Sequence, residues 1–164
     1  MEETLGLALR IASIGVGATL ILDAWSFLLQ RTFGAPFPNY TMVGRWIGNF
    51  GRGRFAHESM GAAPPVAGER LIGWAAHYAI GILYAALLVG FAGVNWLSAP
   101  TLPPALIVGV ATVVAPFFVM QPGMGLGVAS SKAPNPNVAR LRSLAAHAAF
   151  GFGLYLTALF VTKI

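Results

Sequence analysis

From Leu71 to Ser131 the chain carries no Asp, Glu, Lys or Arg. A soluble domain has to show charge to water along almost any stretch of comparable length, and this one shows none. A helix crosses the roughly 30 Å hydrocarbon layer of a bilayer with about 20 apolar residues, so the stretch is long enough for two crossings and a turn. The rest of the chain follows the same rule, with 57% of its 164 residues hydrophobic and 9% charged. Four apolar runs stand out, at about residues 5–30, 71–92, 104–121 and 143–162. They are rich in Leu, Ala and Gly and lack the polar–apolar alternation of a barrel strand, so they are predicted helices. The expected fold is an all-α membrane protein, a four-transmembrane-helix bundle forming one integral membrane domain over residues 1–164.

The opening "MEETLGLALR" places acids where a signal peptide carries basic residues, and no small-residue cleavage site follows, so the first run is read as a helix of the mature protein. Cysteine is absent, which excludes disulfides, thiolate metal sites and Cys nucleophiles. Eight of the ten basic residues fall in two segments: Arg31, Arg45, Arg52, Arg54 and Arg70 in residues 31–70, and Lys132, Arg140 and Arg142 in residues 122–142. The turn between the second and third runs, "GVNWLSAPTLP", has none. The positive-inside rule makes the two basic loops cytoplasmic and both termini periplasmic. Topology then accounts for the net charge of +5. A nucleic-acid partner is excluded, because no soluble basic face exists to hold one.

One line is written twice. "RLIGWAAHYAIG" from Arg70 to Gly81 and "RLRSLAAHAAFG" from Arg140 to Gly151 agree at seven of twelve positions. Both open a span that runs outward from a basic loop, so the two halves are read as parallel two-helix repeats. Fainter echoes agree: "VGAT" at Val16–Thr19 against "GVAT" at Gly109–Thr112, and Pro38-Asn39 against Pro136-Asn137. Within the line, the alanines before the histidine and the glycine four residues after it keep one helix stripe narrow. Small residues of this kind let membrane helices approach closely. Glycine faces such as Gly15 and Gly17, or Gly151 and Gly153, would then call for a partner or second copy to bury them, giving a homo-oligomer or a larger membrane complex.

Depth turns the histidines into candidate site residues. His77 and His147 each lie seven residues past a basic boundary, roughly 10 Å along a helix. Asp23, the acid inside the first run, lies eight residues before Arg31 and reaches a similar level. An ionisable residue inside a span is costly and calls for a function and a partner. The third run ends in "VMQPGMG", where Pro116 should kink the helix and Gln121 and Pro122 should close it. Asp23, His77, Gln121 and His147 therefore form the candidate binding set, with His77 and His147 as candidate metal ligands. The plainest account of them is a hydrogen-bonded network joining two halves. The functional account is binding or passage of a small cation, proton or polar solute. A b-type haem held by the two histidines, with nearby arginines for its propionates, is an alternative, as is a divalent metal. Asn39–Arg70 mixes arginines with aromatic residues, as interfacial segments do. Arg45, Arg52, Arg54 and His57 are thus candidate contacts to anionic lipid. The enzymatic version, with His57 or Ser59 acting on an interfacial anionic substrate, has no motif behind it. "HES" lacks the second histidine of a zinc-protease helix, and the balance favours a protein that is not an enzyme.

The blocks "PNYTMVGRWIG", "GRFAHES", "GERLIGWAAHYAIG", "MQPGMGLG" and "PNPNVARLRSLAAHAAFG", in this order, resemble an uncharacterised family of small bacterial inner-membrane proteins, the domain of unknown function family 2938. The resemblance covers nearly the whole chain. It implies four spans, a bacterial inner membrane and a multi-pass topology, and it carries no catalytic residues, cofactor or substrate.

Overall fold

The computed structural model describes residues 1–163, which form helices and turns and no strand. Helix α1 is Glu2–Phe33. Glu2 and Glu3 sit in its first turn and Arg31 in its last, each opposing the local end of the helix dipole. It stops at Gly34, whose left-handed φ of 65° lets its N–H bond back to Gln30 O. A short helix, α2 at Tyr40–Gly48, follows, capped by Asn39 whose side chain accepts from Met42 N–H at 3.3 Å. Helix α3 is Glu69–Ala92. Helix α4, Leu102–Gly123, opens with Pro103 and Pro104 in its first turn, where no N–H is needed. Helix α5 is Pro136–Val161.

The four expected spans are thus α1, α3, α4 and α5, each long and apolar enough to cross a bilayer. No more than 28% of the most apolar window of any of them is buried. Phe27, Leu83, Leu87, Phe118 and Phe160 all stand exposed. In water such faces would drive aggregation, whereas lipid is the solvent they fit. The chain is a helical membrane protein.

Helix α4 is irregular where Pro116 predicted it would be. Regular α-helix ends at Ala111, because Pro116 has no N–H to offer the Thr112 carbonyl four residues back. Pro116–Met120 then forms one wider π turn, in which Gln121 N–H bonds Pro116 O. Pro122 does not stop the helix as expected. The chain makes one more turn, Gln121–Gly123, before it leaves helical geometry.

Two compact units divide the chain. The first takes Met1–Phe37, Tyr78–Thr112 and the chain from Ala145 onward. Its core joins Ile14 and Ala18 of α1, Ala85 and Leu88 of α3, Trp96 and Leu97 of the following turn, Ala105 and Val108 of α4, and Phe150 and Leu154 of α5. Glycine sets its helix contacts. A Cβ added at Gly15 would lie 2.5 Å from Ile82 Cα, and one at Gly109 would lie 2.7 Å from Gly151 N. Gly17 faces Thr157, and Gly153 faces Ala18. These glycine faces are covered by other helices of the same unit. At one end, Arg10 and Thr162 both donate to Leu97 O, at 2.8 and 2.9 Å.

The second unit is Pro38–His77 with Val113–Leu144. Here α2 lies backbone against backbone on the first turns of α3: Gly44 meets Glu69 O and Gly73 N, and Gly73 meets the Tyr40 carbonyl. Arg45 fastens the contact with a bidentate ion pair to Glu69, both bonds at 2.8 Å. Gly123 packs against the Trp46 ring, and Gly125, at φ 87°, against the carbonyls of His57 and Glu58.

Candidate functional site

Asp23 and His147 belong to the first unit, His77 and Gln121 to the second. Each has identifiable surroundings. Asp23, on α1, accepts a hydrogen bond from Tyr78 Oη of α3 at 3.0 Å. A carboxylate in a helix of hydrocarbon length thus has a phenol as a donor. Tyr78 directly follows His77 in the repeated line, and the second copy has Ala148 there. Sequence reading missed it, although a hydroxyl one residue from a named histidine was the available signal.

His147, on α5, directs Nδ1 at Gly109 O of α4, 3.1 Å away, with Thr112 Oγ1 also at 3.1 Å. A carbonyl oxygen can only accept, so the geometry places the ring proton on Nδ1 and the lone pair on Nε2. Thr112 donates its own hydroxyl proton to Gly109 O at 2.7 Å. The same carbonyl therefore holds both side chains. Thr112 was visible in the "GVAT" echo, but its partner could not be read from spacing.

His77 stacks on Tyr40 with ring centroids 4.0 Å apart and meets Trp74 edge-on at 5.9 Å. Helix α2 makes this possible, because it carries Tyr40 on its first position. Gln121 is buried at the end of the π turn, with Nε2 3.5 Å from Ser143 Oγ and with Oε1 lacking a hydrogen-bond partner among the described residues. A solitary buried amide oxygen is an acceptor for whatever donor reaches it. Among the described residues no three His, Asp or Glu side chains gather as a metal centre.

The interfacial group divides by exposure. Arg45 spends its donors on Glu69 and on the carbonyls of Met60 and Ala63, at 3.4 and 3.2 Å. The hydrogen bond to the Glu69 carboxylate raises its pKa, against a smaller lowering by burial. Its role is to hold α2 on α3. His57 is tied down through its backbone, N–H to Gly123 O at 2.9 Å, and its Nε2 is buried without a partner among the described residues. Arg52 and Arg54 are exposed beside an exposed Phe55. That loop is fixed by Trp46 Nε1 donating to Phe55 O at 2.8 Å and by the Phe50–Phe55 ring contact. Two exposed guanidinium groups close in sequence to an exposed apolar ring have the composition of an interfacial segment.

A model of the family described as protein of unknown function (DUF2938) matches residues 12–161. No curated protein and no solved structure matches the chain.

Proposed function

Since the chain belongs to the DUF2938 family, a family of unknown function, its activity has to be argued from its own residues, and we propose that it binds or passes a small cation, a proton or a small polar solute within the membrane. One observation carries this reading: the Asp23 carboxylate sits inside a span and is kept there by a hydrogen bond from Tyr78. An acid at the centre of a membrane helix costs about 3 kcal/mol on insertion scales. A carboxylate used only for packing would be replaced at a gain by an apolar residue. In this reading Asp23 sets the charge in the first unit, where Tyr78 orients it and can exchange its proton and His147 relays or ligates, while in the second unit His77 is a separate relay or ligand and Gln121 a separate neutral polar contact. Arg52 and Arg54 meet anionic lipid, with Arg45 and His57 supporting their loop. The setting we infer is a bacterial inner membrane, with basic loops cytoplasmic, both termini periplasmic and the two halves a parallel duplication. The Gly15–Gly81 and Gly109–Gly151 contacts support that duplication, since each glycine closing the repeated line meets a neighbouring span.

The test is flux or binding in proteoliposomes. Asp23→Asn should abolish proton or cation uptake, and Tyr78→Phe and His77→Ala should slow it. Uptake unchanged in both Asp23→Asn and His77→Ala overturns the reading.

A second reading is supported by the proton placement on His147. Imidazoles that ligate a metal or haem characteristically give Nδ1–H to a carbonyl and keep Nε2 for the iron. Protein purified from haem-replete cells should then show a Soret band that His147→Ala removes. A colourless preparation ends this alternative.

A further inference from the structure

Eight of the ten basic residues lie in the two basic segments, and the other two are Arg10 and Lys163. The fold brings this remaining pair to one end of the first unit. Arg10 Nη2 donates to Leu97 O at 2.8 Å, and Thr162 Oγ1 donates to the same oxygen at 2.9 Å. Lys163 directly follows Thr162 and is exposed. One carbonyl thus joins the first turns of α1 to the end of α5 and gathers two cations beside it. Arg10 and Arg31 stand on the same helix, roughly 30 Å apart along its axis. That is the thickness of the hydrocarbon layer, so with Arg31 at one face of the layer Arg10 is at the other.

A guanidinium carries five N–H donors, and Leu97 O takes one. Arg10 is partly exposed and none of its nitrogens is buried without a partner, so the remaining donors are open to an incoming group. Among the described residues no carboxylate pairs with it. Glu2 and Glu3 begin the same helix about two turns away and form no ion pair with it. Its planar fork matches two oxygens of a phosphate. Leu5 and Leu9, close by on α1, are exposed, so a group that reaches Arg10 meets an apolar surface as well. A phospholipid supplies both parts, chains for the leucines and a phosphate for the fork. A zwitterionic lipid brings its own cation toward Lys163, whereas an anionic lipid does not. We propose that Arg10 and Lys163 bind the phosphate of an anionic phospholipid in the leaflet opposite Arg31. The site shares no residue with the Arg52 and Arg54 loop of the second unit. Asp23 lies roughly 20 Å further along α1, and the two sites are independent.

The experiment takes the full chain, delipidated in detergent, and titrates it with phosphatidylglycerol or, in parallel, phosphatidylcholine of the same chains. Lipid retained per chain is counted by native mass spectrometry. Arg52→Gln and Arg54→Gln are made first, so that lipid held by that loop does not enter the count. Phosphatidylglycerol should then bind about tenfold more tightly than phosphatidylcholine. Arg10→Gln keeps a donor for Leu97 O and removes the charge, and should weaken phosphatidylglycerol binding about tenfold, the ordinary worth of a hydrogen bond to a charged group. Arg10→Lys keeps the charge without the fork and should fall between. Lys163→Gln, at an exposed position that the fold does not need, should weaken binding about fivefold. Asp23→Asn should change nothing. Equal retention of the two lipids overturns the proposal, as does phosphatidylglycerol binding that neither Arg10→Gln nor Lys163→Gln weakens. Release of the lipid by millimolar inorganic phosphate overturns it too, because the two cations would then serve an aqueous anion.

Discussion

His77 and His147 occupy the same place in the repeated line, yet the first has its ring face against Tyr40 at 4.0 Å and the second has Nδ1 on the Gly109 carbonyl at 3.1 Å. The glycine four residues later behaves differently. Gly81 lies against Thr19 and the Gly15 carbonyl of α1, and Gly151 lies against Ala105, Leu106 and Gly109 of α4. What the two copies share physically is a close approach of helix backbones. What they do not share is the use of the imidazole. In lipid, close approach is a main source of helix association, because apolar side chains gain nothing from leaving an apolar solvent. The line written twice thus keeps its glycine in a close helix contact each time, while each histidine has its own surroundings.

The largest effects should come from closing those contacts. A Cβ at Gly15 or at Gly109 meets main-chain atoms of the facing helix, which cannot swing aside as a side chain can. Gly15→Ala and Gly109→Ala should each cost about 3 kcal/mol, the upper end of ordinary overpacking, read as loss of stability to denaturant in detergent micelles. Gly90, inside α3 with nothing within 4 Å of an added Cβ, is the control. Gly90→Ala should be neutral or stabilising by up to about 1 kcal/mol through helix propensity. Equal behaviour of all three would show that the glycines are not what hold the spans together.

The histidines should separate by the rank order of their substitutions. For His77, Phe preserves a ring against Tyr40 and Ala does not, so His77→Phe should be more stable than His77→Ala by about 1 kcal/mol, the worth of an aromatic pair. For His147, both substitutions lose the bond to Gly109 O, at about 1–2 kcal/mol for a partly buried donor, and Phe should offer no rescue. The same order at both positions would mean that the two rings are held alike, and the contrast drawn above would fail.

The spans were legible because charge is so scarce. Residues 71–92 were read against an observed Glu69–Ala92, and 104–121 against Leu102–Gly123. Helix α5 begins at Pro136, seven residues before the reading at 143, because Arg140 and Arg142 truncate an apolar run without breaking a helix. Arg140 in fact donates to Ala129 O at 2.9 Å and to Asn137 Oδ1 at 3.1 Å. Helix α2 was not foreseen within the segment taken as a loop, although Asn39 directly before "YTMVGRWIG" is a capping signal of the expected kind. The Pro38-Asn39 and Pro136-Asn137 echo misleads, since Asn39 caps a helix from outside whereas Pro136 is the first residue of one. Arg45 looked like an anion contact because its partner Glu69 is twenty-four residues away, and only the packing of Gly44 on α3 brings the two together. Asp23, His77, Gln121 and His147 could be picked out of the sequence as polar residues of apolar runs. Their partners could not, because Tyr78, Thr112, Tyr40 and Ser143 become neighbours only through helix packing.

The smallest effect is also the most diagnostic. Thr19 and Thr112 end the two "AT" echoes, and each donates its hydroxyl to a carbonyl of its own helix, Gly15 O at 2.8 Å and Gly109 O at 2.7 Å. Bonds of that local kind add little to helix association. Thr112 differs by standing 3.1 Å from His147 Nδ1. A double-mutant cycle of Thr112→Val with His147→Phe should therefore give a coupling of about 0.6 kcal/mol, the size found for side-chain hydrogen bonds between membrane helices. If the coupling of Thr112 and His147 is nil, the Gly109 carbonyl alone fixes the ring, and the threonine belongs to the helix rather than to the site.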